Sequence, residues 1–233
     1  MGDVMKLSSR LQAALYYCSG CESLADVGSD HAYLAIAAVK SVVSKAVAID
    51  NKNGPYQKAV RNVRRHELSN RIRCSLSEGI EDIDEDTDVI AVCGMGGMMI
   101  VAILEKGASF IARKKPSLVL QPNNATSAVR QWLDSHDYHV LSETIVEERG
   151  QDYDCLHAIP KKQPSQLSPR EILHGPVLLK ERSEPFIRRL LRMVEVKKKA
   201  LMEINKERIK EIIRLKEEIL DLEDILDDCK TTV

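Results

Sequence analysis

As far as Ile159 the chain alternates short β-branched runs with stretches whose apolar positions recur at helical spacing. The runs predict strands at Ser23 to Val27, Lys45 to Asp50, Ile72 to Ser75, Thr87 to Cys93 and Pro116 to Gln121. Between them, helices are predicted over Asp30 to Val39, Gly54 to Glu67 (with Pro55 in its first turn), Met98 to Gly107 and Ala125 to His136. Thr87 to Cys93 is almost wholly apolar, the look of a parallel strand buried on both faces. His139 to Glu147 and Tyr153 to Ile159 flank the turn Glu148-Arg-Gly-Gln-Asp152 and read as a hairpin. Alternation of this kind predicts an α/β protein with a Rossmann-like, mostly parallel, doubly wound sheet and an antiparallel terminal hairpin.

Past Ile159 the pattern changes. Pro160-Lys-Lys-Gln-Pro-Ser-Gln-Leu-Ser-Pro169 is polar and proline-punctuated, as linkers are, which sets the expected domains at 1–160 and 161–233. From Glu184 to Asp228, past Pro185, there is neither Gly nor Pro, and Ile187, Leu190, Leu191, Val194, Leu201 and Ile204 are followed by Ile209, Ile212, Ile213, Ile219, Leu222 and Leu226. The phase slips near Asn205-Lys-Glu-Arg208, which favours two antiparallel helices closed there, a coiled-coil hairpin in a monomer, over one long dimerisation helix.

Composition narrows the function classes. A hydrophobic fraction of 44% excludes wholesale disorder, and 4% aromatics argues against stacking platforms for single strands. The apolar run Ala32 to Val39 is too short to span a bilayer, and Met1 to Lys6 lacks a secretory pattern, so a cytoplasmic location is expected. Six cysteines in 233 residues do not make a disulfide scaffold, and Cys18-Ser-Gly-Cys21 lacks the further ligands of a structural zinc site. Net charge is −1, but it is segregated: residues 1–160 sum to −4 and the remainder to +3, with most of that excess between Lys180 and Lys199.

In a doubly wound sheet ligands sit beyond the carboxyl ends of the strands. The loop after the first strand holds Asp26, Gly28, Ser29, Asp30 and His31: one glycine between carboxylates, without the G-x-G-x-x-G that makes room for a pyrophosphate. Asp50, followed by Asn51, ends the second strand, where a carboxylate can accept both hydroxyls of a ribose. Glu78 and Gly79 follow the third strand, and Gly94, Met95 and Gly96 the fourth. Acid, acid and glycine-rich loop in that order is the arrangement of class I methyltransferases that use S-adenosylmethionine.

Several strings carry a closer resemblance. Leu7-Ser-x-Arg-Leu11, Asp26-Val-Gly-Ser-Asp-His-Ala-Tyr-Leu34, Gly54-Pro-Tyr56, Gly94-Met-Gly-Gly97, Leu118-Val-Leu-Gln-Pro-Asn123 and Gly175-Pro-x-Leu-Leu179 resemble the TrmK family across nearly the whole chain. That family comprises bacterial tRNA (adenine-N1) methyltransferases acting on the adenine at position twenty-two, in the D-arm region. Where the family usually has Gly-Glu and Gly-Asp-Gly, this chain has Ile49-Asp50 and Ser77-Glu78-Gly79, keeping a carboxylate at both places. The resemblance implies S-adenosylmethionine as cofactor and tRNA as partner.

Adenine N1 bears an in-plane lone pair, so attack on a sulfonium methyl needs no prior deprotonation and leaves a cationic 1-methyladenine. Alignment and electrostatics are the protein's tasks, and no metal is called for. Asp30 is placed to stabilise that cation, and the resemblance also points to it; its rival role is to cap the next helix. His31 is open to cofactor, base or packing roles, and Tyr33 reads as core. Gly94-Met-Gly-Gly97 lacks the side-chain acceptors that an N6-methylating loop presents to an amino group. Gln121 and Asn123 offer amides to an adenine edge, with turn formation as their alternative. For RNA contact the chain offers Arg61, Arg64, Arg65, Arg71 and Arg73, and the basic run of the appendage that includes Arg188, Arg189 and Arg192. Self-pairing with the acidic tail is the competing account of that run. The rival functions are methylation of another RNA base or a small molecule, and a non-catalytic cofactor-binding module that recruits a protein through its coiled coil.

Overall fold

The computed structural model describes residues 7–163, 165–205 and 207–230. Met1 to Lys6, Pro164 of the linker and Lys206 of the expected hairpin closure lie outside the described residues.

The strands are β1 (Ser23–Val27), β2 (Lys45–Asp50), β3 (Ile72–Leu76), β4 (Val89–Met95), β5 (Ser117–Pro122), β6 (Tyr138–Glu148) and β7 (Gln151–Pro160). They form one sheet in the order β3-β2-β1-β4-β5-β7-β6. The first five pair in parallel, and β7 runs antiparallel to both β5 and β6. Strand order reverses between β1 and β4, which opens a crevice at their carboxyl ends.

Period-two alternation divides the strand side chains between two cores. Leu24, Ala48, Ala91 and Val119 face helices α1 (Ser9–Tyr17), α2 (Tyr33–Ser41) and α3 (Asn53–Arg65), through Ala14, Leu34, Ile36, Val39, Ala59 and Val63. Ala25, Val27, Val47, Ile49, Ile90, Val92, Leu118 and Leu120 face α4 (Gly97–Lys106), α5 (Ala108–Lys114) and α6 (Thr126–Ser135). Burial on both faces explains why Thr87 to Cys93 shows no alternation in the sequence.

One helical expectation needs correction. Asp30 to Ala32 is not the start of a helix: their φ angles are +30°, +66° and +58°, a left-handed turn after which α2 begins at Tyr33. The segment after Gly107, unassigned by pattern, forms α5.

Beyond the sheet, α7 (Pro169–His174) starts with a capping box between Ser168 and Glu171, and α8 spans Pro176–Glu181. The chain divides into two compact units, one ending at Val177 and the other starting at Leu178. In the second unit α9 (Glu184–Glu203) and α10 (Ile209–Lys230) pack together, burying Phe186, Leu190 and Val194 on one and Ile219, Leu222, Ile225 and Leu226 on the other. Ion pairs Lys197–Glu218 and Lys198–Glu223 cross between them. Near the closure the apolar side chains Met202, Ile209 and Ile213 stay exposed.

Candidate active site

The site begins where β1 ends. Gly28 and Ser29 donate their backbone N–H groups to Ile49 O at 2.8 and 2.9 Å, folding the chain across the tip of β2. At Gly28, φ is +72°, a conformation L side chains rarely adopt, so any substitution is strained, and an added Cβ would also have to push aside the flexible end of Met95. Asp26, just beneath, is 3% exposed, and its Oδ2 accepts from Ser29 Oγ at 2.6 Å. No cation pairs with it among the described residues. Burial pushes its carboxyl up to about 6, against the opposing pull of the Ser29 hydrogen bond.

The left-handed turn follows. Left-handed φ at non-glycine residues costs about 1–3 kcal/mol each and needs support from its surroundings. Asn62 of α3 supplies it by donating Nδ2–H to His31 O at 2.9 Å. The turn projects Asp30 outward, with its side chain 71% exposed, and sets His31 Nε2 3.2 Å from Asp30 Oδ1. Asp30 makes no side-chain cap on α2, which disposes of the capping role. The His31 ring stacks on Tyr33 with centroids 5.2 Å apart. Tyr33, expected in the core, is 40% exposed because the turn delays the start of α2 and brings its first residue to the cavity rim.

Two cavities meet at Gly28 and Met95. The first, about 450 Å³, is lined by Asp50, Asn51, Glu78, Gly79 and Gly96, with apolar walls from Ile49, Met99 and Ile103. Asp50 Oδ1 accepts from Lys52 N at 2.9 Å, and Glu78 pairs with Lys106 at 2.9 Å at the exposed edge. The second, about 400 Å³, holds Asp26, Ser29, Asp30, Tyr33, Cys93, Gly94, Gln121 and Asn123, and also Ser8 and Arg10 from the amino-terminal segment. The glycine-rich loop is pinned at its far end. Gly97 N donates to Asn124 O at 3.1 Å, and a Cβ there would lie 2.5 Å from both Asn124 O and Ala125 O.

Of the two roles open to Gln121, its contacts are those of turn formation. It is 1% exposed, its Oε1 accepts from Gly94 N at 3.0 Å and its Nε2 donates to Pro122 O at 3.0 Å. Its amide braces the loop instead of facing a base. Asn123 also serves the loop, donating to Gly94 O at 2.7 Å, while its Oδ1 accepts from Arg10 Nη1 at 2.9 Å. Arg10 was not singled out by its chemistry in the sequence, although it stands in the Leu7-Ser-x-Arg-Leu11 string. Glu148 at 3.2 Å and the Tyr153 ring at 4.3 Å hold it from the hairpin, and its buried Nε has no hydrogen-bond partner.

The remaining residues sort by their contacts. Arg71 donates to Ser44 O and Val43 O, and Arg73 pairs with Asp82 and Asp84, so neither is held out for RNA. Arg61, Arg64 and Arg65 are exposed on α3. On α9, Arg188 and Arg192 are exposed and Arg189 lies over the Phe186 ring. Cys18 is buried and Cys21 half-buried, both as free thiols, and desolvation raises both, the opposite of a redox-active pair. Among the described residues no three His, Cys, Asp or Glu side chains are grouped to hold a metal, and no helix is long and apolar enough to cross a membrane.

A mostly parallel sheet of this order with a terminal antiparallel hairpin, and a two-lobed cavity lined by strand-end carboxylates and a glycine-rich loop, define a class I, S-adenosylmethionine-dependent methyltransferase. Residues 24–224 match the family described as TrmK, tRNA (adenine(22)-N(1))-methyltransferase, and the chain belongs to that family. It is 32% identical to the tRNA (adenine(22)-N(1))-methyltransferase of Bacillus subtilis (strain 168), over 93% of this chain and 98% of that one. Among solved structures it is similar to Streptococcus pneumoniae Sp1610 in complex with S-adenosyl-L-methionine, with a TM-score of 0.85 and 34% identity, covering 95% of this chain and 100% of that one. It is likewise similar to M. capricolum TrmK in complex with S-adenosyl-homocysteine, with a TM-score of 0.84 and 26% identity, covering 95% and 98%.

Proposed function

We infer that this chain methylates N1 of adenine 22 in tRNA, with S-adenosylmethionine as the methyl donor. The observation that carries the reading is Asp26, a buried carboxylate without a cationic partner among the described residues, on the wall of the second lobe. Such a site is electrostatically incomplete until a cation enters it. The bound cofactor supplies an electrophilic methyl group on a sulfonium.

The chain's own residues do the rest. Asp50 and Asn51 hold a ribose in the first lobe, and Glu78 with the Gly79 turn borders the adenine. Gly28, Ser29 and the Gly94 to Gly96 loop give the backbone a close approach, with Met95 dividing the lobes. Arg10 lines the second lobe and brings a positive charge suited to the amino-acid carboxylate. Asp30 faces the cation that grows on the base as N1 is alkylated, and His31, braced on Tyr33, fixes its direction. N1 lies on the Watson–Crick edge, so the adenine must leave any pairing before it reaches this turn. Helix α9, through Arg188, Arg189 and Arg192, supplies a docking face for tRNA on the second unit. The substrate places this work in the cytoplasm.

Incubating unmodified tRNA with labelled S-adenosylmethionine, then digesting to nucleosides for mass spectrometry, tests the reading. Label in 1-methyladenosine supports it, and label in N6-methyladenosine, or none, contradicts it.

The raised carboxyl of Asp26 makes a second expectation. Below about pH 6 the group is protonated and neutral, and above it the carboxylate attracts a cation. Affinity for S-adenosylmethionine, measured by calorimetry, should therefore fall as the pH drops through about 6. Asp26→Asn should bind more weakly near neutrality and lose that pH dependence.

A further inference from the structure

Helix α3 contains no acidic residue, and Lys58, Arg61, Arg64 and Arg65 are exposed on its outward side. At 3.6 residues per turn, Lys58, Arg61 and Arg65 form one stripe with Arg64 beside it. Among the described residues none of the four has a carboxylate within ion-pair distance. Many other cations of the chain are matched. Lys45 pairs with Asp86, Arg73 with Asp82 and Asp84, Arg113 and Lys114 with Glu85, and Lys197 and Lys198 with acids across the hairpin. Like charges spaced three and four apart on a helix repel by a few tenths of a kcal/mol per pair. This face keeps that repulsion uncompensated.

A charge run is most often just a solvated face. What sets this one apart is where it begins. Lys58 Nζ lies 3.4 Å from His31 Nε2, and His31 Nε2 is 3.2 Å from Asp30 Oδ1. Asn62, on the flank of the same stripe, holds His31 O and so the left-handed turn itself. At the other end Lys40 Nζ reaches His66 Nδ1 at 3.0 Å and lengthens the basic surface. A cationic track thus runs from the reaction centre outward along α3.

We propose that the outward face of α3 binds the phosphate backbone of the RNA strand that flanks the target adenine, and so delivers the base to Asp30. The proposal rests on the tRNA reading above and names the surface that reading needs beside the site. Phosphate contacts fix the register of a nucleic acid without reading its sequence, which is what a strand must be given when its base is extruded. The outward stripe carries no aromatic side chain, so the strand is held by charge and not by stacking.

The test is tRNA binding by fluorescence anisotropy across a salt series, for the full chain and for Arg61→Ala/Arg65→Ala. Removing two phosphate contacts should raise Kd roughly tenfold or more and shrink the slope of log K against log salt by about 1.4, at about 0.7 per single-strand contact. Affinity for S-adenosylmethionine should stay at the parent value, and Arg61→Lys/Arg65→Lys should keep most of the tRNA affinity. An alanine variant with parent Kd and parent slope would leave the face to another partner and overturn the proposal. If the alanine variant also loses cofactor binding, lysine acylation of the unaltered chain decides: tRNA should protect Lys58, and equal modification with and without tRNA overturns the proposal. A parent chain that fails to methylate tRNA strikes the functional reading itself, whereas unchanged binding by the variant of an active parent strikes only the assignment to α3.

Discussion

Asp30→Ala should lower kcat for methyl transfer by about 10²–10³-fold while leaving S-adenosylmethionine affinity close to the parent value. In the free chain the carboxylate is 71% exposed, so water screens it. A base seated over the turn would displace that water, and a charge facing the growing adenine cation gains strength as the local dielectric falls. Asp30→Asn should lose nearly as much, because it keeps the size and the hydrogen-bonding capacity but not the charge. Single-turnover rates with bound cofactor, compared with cofactor affinity from calorimetry, separate the two effects. Comparable losses in rate and in cofactor binding would mean that Asp30 shapes the cofactor site instead of acting on the base.

The second large effect concerns the end of the first unit. Arg130 and Glu143 are buried side by side, 1% and 0% exposed, joined by an Nε to Oε1 hydrogen bond of 2.7 Å. Arg130 Nη1 also donates to Ile172 O and Leu173 O, and Glu143 Oε2 accepts from Val177 N, so the pair ties α6 and β6 to the segment around α7. Gly175 closes over it: a Cβ there would stand 2.5 Å from Glu143 Oε2 and 2.9 Å from Arg130 Nη2. Arg130→Met should cost about 3–5 kcal/mol, because it strands a buried carboxylate. Denaturant unfolding reads this directly. Arg130→Met/Glu143→Leu should recover much of the loss, since matched apolar groups leave no charge unpaired. Burial already holds the Glu143 carboxyl above its ordinary value, against the pull of Arg130. The single variant should therefore lose least in acid, where that carboxyl is neutral.

These two sites show what a sequence discloses and what it withholds. Strand and helix alternation was legible because each buried strand is a short apolar run and each helix an amphipathic one. Asp26, Gly28, Asp50, Glu78 and Gly94 were legible as candidates because a parallel sheet places its strand ends together. The left-handed turn at Asp30 to Ala32 was not. No local signal predicts three non-glycine residues with positive φ, and the hydrogen bond that supports them comes from Asn62 on another helix. Tyr33 was misplaced for the same reason. Gln121 stayed open between a base edge and a turn because a strand-end amide can serve either, and its direction is set by the Gly94 turn it braces. Arg10 was missed because its partners Asn123, Glu148 and Tyr153 lie more than a hundred positions away. Gly175-Pro176 could be recognised as a string but acquires a physical reason only beside Arg130 and Glu143.

The chemistry proposed for this chain is methyl transfer to one ring nitrogen of one adenine. Its most direct test uses synthetic tRNA with 1-deazaadenosine or 7-deazaadenosine at position 22, each incubated with labelled S-adenosylmethionine. The 7-deaza substrate keeps N1 and should accept label at that position. The 1-deaza substrate should accept none. Label at position 22 of the 1-deaza tRNA, or label elsewhere in both, would contradict it.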